Sequence, residues 1–197
     1  MRTTTESARQ HAAGRSRTDP WRDAAFDFYL VGVNFLLTLP GHAFRLFVLR
    51  SLCRWRIGPG SCIERNVRVT TKGGVTIGTG CLIHRGAVLD GRGILTIGDL
   101  VNISPGVTCL TADHDPDSPA FAGRCRPVSI GSRSWVTTNA MILPGTIMQE
   151  GVVVGAGSVV SGEVQAWTVV GGCPARKIRD RHPDAQSKLP YYRRWLH

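Results

Sequence analysis

Residues 111–121 of this 197-residue chain read Thr-Ala-Asp-His-Asp-Pro-Asp-Ser-Pro-Ala-Phe. One histidine, His114, stands among Asp113, Asp115 and Asp117, with Phe121 as an aromatic anchor. Imidazole titrates near neutrality, so it suits a general base that takes a proton from a hydroxyl as that oxygen attacks a carbonyl. A carbonyl or carboxylate on its other ring nitrogen would fix the tautomer, and Asp115 or Asp113 could serve. Asp115 reads more readily as a turn-structuring residue than as a proton carrier. His84 and Asp90 are further polar candidates for shaping a site. Other chemistries lack their residues. The G-x-G triplets at 58–60, 78–80, 91–93 and 155–157 lead to Ile63, Ile83, Thr96 and Val160 where a dinucleotide fingerprint needs glycine. Neither a phosphate-binding loop nor a nucleophile elbow occurs. The six cysteines form no C-x-x-C and none adjoins a base, which argues for reduced thiols in a cytosolic protein and against a covalent acyl-enzyme.

The elements that must position His114 follow from a repeat. Aliphatic residues recur every six positions: Ile57, Ile63, Val69; Ile77, Ile83, Leu89; Ile97, Ile103, Cys109; then Ile130, Val136, Ile142, Met148, Val154, Val160 and Ala166. Six is neither the helical period nor plain strand alternation. It is the period of a hexapeptide parallel β-helix, an all-β solenoid with three short strands per triangular coil. About five coils are expected over 57–166, within a domain spanning 57–173. The position four after the aliphatic is often small (Ser61, Cys81, Ala87, Ser134, Ala140, Ser158), as a narrow corner requires. Gly58, Gly78, Gly98, Gly131 and Gly155 suit tight backbone corners. Two short insertions (near 71–74 and 91–94) and one long one (112–127) all follow the third strand of a coil, so they leave the prism at one stacked edge. The longest is the His114 loop, of a length that usually carries function.

The net charge of +10 is confined to the ends. Residues 1–56 carry nine Arg against four acids, residues 174–197 seven Lys/Arg against two, and residues 57–173 eight of each. A nucleic-acid groove would mark the folded body instead. Residues 1–20 are polar and read as a disordered start. Residues 21–56 read as two helices, an apolar stretch from Ala24 to Leu39 and a basic amphipathic one from His42 to Trp55. Asp27 and Asn34 interrupt the first, which is short for a membrane span. Two readings stay open: a helical cap on the β-helix, or peripheral attachment to the inner face of an anionic membrane. Residues 174–197 form a basic tail.

The repeat, the His114-Asp115 loop, the runs Ile142-Leu-Pro-Gly145 and Val154-Gly-Ala-Gly-Ser158, and the ending Gly171-Gly-Cys-Pro-Ala-Arg176 resemble the hexapeptide-repeat acyltransferases, of the maltose, galactoside and colanic-acid O-acetyltransferase type. The resemblance covers about 57–180. It implies a left-handed β-helix, a homotrimer with active sites between neighbouring subunits, acetyl-CoA as donor, and a sugar or glycan hydroxyl as acceptor. It further implies His114 as catalytic base. Trp135 would lie beside the pantetheine channel, Thr138 and Ala156 against the coenzyme arm, and Arg176 and Arg179 near the nucleotide phosphates. Three positions depart from the family pattern: Ser161-Gly162 replaces a frequent Thr-Lys, Gln149 a usual corner glycine, and the expected corner Asn or Asp has no firm counterpart near His84, Arg85 and Asp90. Competing functions are transfer to an amine or antibiotic, a non-catalytic β-helical scaffold, and a β-helical zinc enzyme. The last needs three histidines per metal, yet position 119 is Pro and the next histidine is His182, so no metal is expected.

Overall fold

The computed structural model describes residues 19–183, so the sequence readings for residues 1–18 and 184–197 lie outside the described residues. The body is a left-handed parallel β-helix. Its first sheet stacks Arg56–Ile57, Val75–Ile77, Leu95–Ile97, Val128–Ile130, Ile147–Met148 and Glu163–Val164. The second stacks Cys62–Ile63, Leu82–Ile83, Asn102–Ile103, Trp135–Val136, Val153–Val154 and Thr168–Gly172. The third stacks Arg68–Val69, Val88–Leu89, Thr108–Cys109, Met141–Ile142 and Val159–Val160. Five coils are complete and a sixth has two faces, one more partial coil than the sequence suggested. In place of a sixth third face, Ala175–Asp180 turns back and pairs antiparallel with Thr168–Gly172.

The periodic aliphatics fill the prism. Ile63, Ile83, Ile103, Val136 and Val154 stack on the second face with essentially no exposure. The period fails once. The last inward residues are Val164 and Val170, not Ala166, because the chain advances only four positions from Val160 to Val164 instead of six. Gln149, the departure from a corner glycine, sits beneath the next corner, between the first and second sheets. Its amide donates to Glu163 Oε1 (2.7 Å) and accepts from the Ala166 N–H (3.3 Å).

The corner glycines matter through close approach. A Cβ on Gly58 would lie 2.6 Å from the carbonyl carbon of Gly78, and one on Gly78 would lie 2.6 Å from that of Gly98. The left-handed conformation falls elsewhere, three residues after the inward aliphatic at the first-to-second and second-to-third sheet edges, at Gly60, Asn66, Gly80, Gly86 and their equivalents.

Two helices precede the prism: α1 (Pro20–Leu36), capped by the Asp19 side chain on the Trp21 N–H, and α2 (His42–Phe47), which continues as a π-turn over Val48–Leu52. Val33, Leu37, Val48, Leu49 and Trp55 bury against the first coil. The Arg45 side chain, fully buried, donates from Nε to the Ile63 carbonyl (3.1 Å) and from Nη1 to the Leu39 carbonyl (3.2 Å), tying the helices to the prism.

The edge between third and first sheets carries every insertion. There Asp90 is fully buried. Its Oδ1 accepts from the Thr70 hydroxyl (2.9 Å) and from Arg92 N and Nε (3.1 and 3.0 Å). Its Oδ2 accepts from Arg92 Nη2 (3.1 Å) and Thr111 N (3.0 Å). One carboxylate thus ties together three successive coils at the root of the His114 loop. Burial by itself would raise this carboxyl; the Arg92 guanidinium and the Thr111, Arg92 and Thr70 donors outweigh it and hold it at about 2.

Two stability measurements follow. Gly78→Ala forces backbone apart at a stacked corner and should cost about 1–3 kcal/mol, whereas Gly157→Ala, whose Cβ meets open space, should cost no more than about 1 kcal/mol for its positive φ. Equal losses in denaturant unfolding would contradict the stacking explanation. The Asp90 pKa is depressed on folding, so its contribution is complete above about pH 4 and is lost as pH falls toward 2. Asp90→Asn should therefore lower stability by roughly 2 kcal/mol near neutrality and flatten the acid limb between those pH values. An acid limb that keeps its wild-type slope would refute the assignment.

Candidate active site

The long insertion is a β-hairpin. Ala112–His114 pairs antiparallel with Gly123–Cys125, with Ala112 opposite Cys125, Asp113 opposite Arg124 and His114 opposite Gly123. Side chains alternate along a strand, so Asp113 and His114 point to opposite sides. Asp113 accepts from Arg124 Nε (2.8 Å) and Nη2 (3.0 Å) and from Arg126 Nη2 (2.8 Å). These guanidinium bonds, Arg124 first, pull its carboxyl below the usual range against a smaller opposing effect of burial. Asp115 shapes the turn: its Oδ1 accepts from the Asp117 N–H (3.2 Å) and lies 3.5 Å from Arg124 Nη1.

Neither Asp113 nor Asp115 orients the histidine; of the two kinds of partner the sequence allowed, carbonyl or carboxylate, the structure has the carbonyl. The partner is the backbone carbonyl of Phe121, 2.8 Å from His114 Nδ1. A carbonyl only accepts, so Nδ1 carries the proton, and Nε2 of the neutral ring keeps its lone pair. The Phe121 ring stacks on the imidazole with centroids 4.4 Å apart and planes 5° from parallel. Phe121 adopts φ +48°, a costly conformation for a bulky residue, and that turn is what directs its carbonyl and ring at His114. His114 itself is exposed.

Of the remaining sequence candidates, Asp90 shares the hairpin edge and the others lie away from it. His84 sits at the edge between second and third sheets, its Nδ1 3.1 Å from Glu64 Oε1. Glu64 also accepts from the Arg85 N–H (2.9 Å). The sequence reading missed Glu64, although it precedes His84 by 20 residues, one coil with its insertion. Thr138 and Ala156 are exposed on that same edge in adjacent coils, joined by the Gly157 N–H to Thr138 carbonyl bond (3.0 Å). Trp135 lies on the outer side of the second sheet, half exposed, its indole N–H donating to Ser104 Oγ (2.9 Å). Arg176 and Arg179 are exposed on the strand that extends the second sheet, opposite Gly171 and Val169. Trp135, Thr138, Ala156, Arg176 and Arg179 therefore form one strip along the second sheet and its edge. Asp90 belongs to the other edge and has no exposed surface to offer a ligand.

All six cysteines are free. Burial pushes the Cys109 thiol up to about 12 and the Cys53 thiol to about 11, and raises that of Cys81, so these stay protonated and unreactive.

No protein-family model matches the chain. Across 140 residues it is 33% identical to a putative colanic acid biosynthesis acetyltransferase of Escherichia coli, a stretch covering 71% of this chain and 76% of that protein. A hexapeptide-repeat acetyltransferase of Vibrio cholerae, solved with acetyl-CoA, superposes with a TM-score of 0.75 at 28% identity over 87% of this chain and 95% of that one. A maltose O-acetyltransferase of Clostridium difficile superposes with a TM-score of 0.65 at 25% identity, covering 81% and 88%. On the repeat, the hairpin histidine and these similarities, the chain belongs to the hexapeptide-repeat acetyltransferases.

Proposed function

We propose that the protein transfers an acetyl group from acetyl-CoA to a hydroxyl of a sugar or glycan, with His114 as general base. The observation that carries this reading is the fixed tautomer of His114: Nδ1 held by the Phe121 carbonyl, the ring held by the Phe121 face. In direct transfer, Nε2 takes the proton of the acceptor hydroxyl as its oxygen attacks the thioester carbonyl. The C–S bond then breaks, and the leaving thiolate recovers the proton from the imidazolium, so no group on the protein is consumed. A glycan acceptor is suggested by the relatives' names, among them colanic acid biosynthesis and maltose O-acetylation.

The coenzyme lies along the strip from Trp135 past Thr138 and Ala156 toward Arg176 and Arg179, whose guanidiniums face the phosphates. His84 and Asp115 shape the acceptor side, and Asp90 acts from beneath the hairpin. The hairpin leaves one edge of the prism and the strip occupies another, and His114 is exposed in the single chain. Transfer needs both at one water-poor place. We therefore read the active form as a homotrimer in which the hairpin of one subunit serves a coenzyme held by the next. Six free thiols favour a reducing compartment, the cytoplasm.

The test is CoA release from acetyl-CoA with a panel of sugars and amino compounds. With an acceptor sugar, His114→Ala should lower kcat by about 10²–10⁴-fold while leaving acetyl-CoA binding in place. Release that survives in His114→Ala would remove it as the base and direct attention to the His84–Glu64 pair. Phe121→Ala keeps the carbonyl and loses the stacked ring. It should lower kcat by roughly ten- to a hundredfold with little change in KM for acetyl-CoA. An unchanged kcat would mean that the ring contact does not position the base.

A further inference from the structure

Helix α1 is apolar on two opposite faces. One, with Tyr29, Leu30, Val33 and Leu37 at its end, packs on the first coil. The other carries Trp21, Ala24, Phe28, Val31 and Phe35, spaced three and four apart so that they align along one side. Trp21 is 84% exposed, Phe28 77%, Val31 68% and Phe35 63%. A helix that is hydrophobic all round belongs in a buried or lipid-contacting place. Fraying does not explain the exposure, since the helix is pinned. Asn34 exchanges two hydrogen bonds of 2.9 Å with the Val69 backbone, and the Tyr29 hydroxyl donates to the Leu52 carbonyl at 2.9 Å.

Charge says what covers this face. Residues 1–74 carry twelve Lys/Arg against five Asp/Glu, a net +7, while residues 75–173 carry five against seven. Arg22, Arg56, Arg65 and Arg68 are exposed and form no ion pair among the described residues. A groove of about 440 Å3 between α1 and the third sheet brings Arg68 beside Val31 and Val88, a cation at the margin of the apolar ridge. Asp23 and Asp27 lie on the helix flank, off the ridge. An anionic bilayer surface answers both features: aromatic side chains enter the interface and arginines meet phosphate.

We infer that the outer face of α1 (Trp21, Phe28, Val31 and Phe35) is a docking surface for an anionic membrane, with the arginines of the same end facing lipid phosphates. Among the described residues no helix is long and apolar enough to cross a membrane. At 17 residues α1 is about 25 Å long, and its apolar ridge runs along one side, so docking through that ridge lays the helix in the plane of the interface.

The experiment is vesicle flotation of the full chain with phosphatidylcholine alone and with added phosphatidylglycerol. Binding should require phosphatidylglycerol, weaken with salt, and fall by at least about tenfold in Phe28→Ser/Phe35→Ser. Bromine carried on the lipid chains should quench the fluorescence of the wild type and much less that of Trp21→Tyr, which retains the ridge. Release of CoA with a water-soluble acceptor should be unchanged in both variants, which separates this surface from the proposed chemistry. Absence of binding to phosphatidylglycerol vesicles would overturn the inference, as would equal binding by the double variant. A smaller sedimenting mass of the double variant would assign the face to contact between copies instead.

Discussion

Backbone hydrogen bonds in the solenoid run from each coil to the next, as from Cys62 N–H to the Cys81 carbonyl and from Glu64 N–H to the Ile83 carbonyl. Every coil is therefore a template for the one above it and must repeat its cross-section. That constraint selects the aliphatic at every sixth position. It sets backbone on backbone at Gly58, Gly78 and Gly98, and places a left-handed residue three positions after the aliphatic at the two edges that carry no insertion. It also decides where extra chain can go. At two edges an insertion would break the stack, and only the edge between third and first sheets tolerates variation in length.

The His114 hairpin occupies that permissive edge, and the edge is reinforced where the chain leaves it. Asp90 bonds to Thr70, Arg92 and Thr111 and so closes the root of the hairpin with a buried, fully partnered carboxylate. Above it, Asp113 with Arg124 and Arg126 fixes the strands of the hairpin, and the Phe121 turn fixes the imidazole. The sequence of supports runs from coil to carboxylate to hairpin to ring. Each step converts rigidity of the prism into the placement of one nitrogen.

The stacking constraint also explains how much was legible beforehand. The repeat from Ile57 to Val160, the common edge of the insertions and the loop carrying His114 all follow from counting in sixes. The last coil did not, because two residues are missing between Val160 and Val164 and the phase points to Ala166. Gln149 looked like a departure, and in the structure its amide bonds Glu163 and Ala166 of the coil above. Which residue supplies the carbonyl to His114 was hidden, because every residue carries one; the signal was Phe121 itself, an aromatic held in a turn. Asp90 read as a candidate for an acceptor site, and its burial was hidden because burial at an edge depends on the insertions around it. Glu64 was accessible to the same counting, one 20-residue coil before His84.

The central claim is that a hairpin base from one subunit serves a coenzyme held on the second sheet of another. Intersubunit complementation tests it most directly. His114→Ala lacks the base, and Ala156→Trp blocks the strip; each is expected to be inactive as a pure protein. Randomly assembled mixtures of the two should recover roughly a quarter of wild-type CoA release, because some interfaces pair an intact hairpin with an intact strip. Mixed assemblies that stay inactive, with both chains shown to be present in one oligomer, would mean that base and coenzyme belong to a single chain.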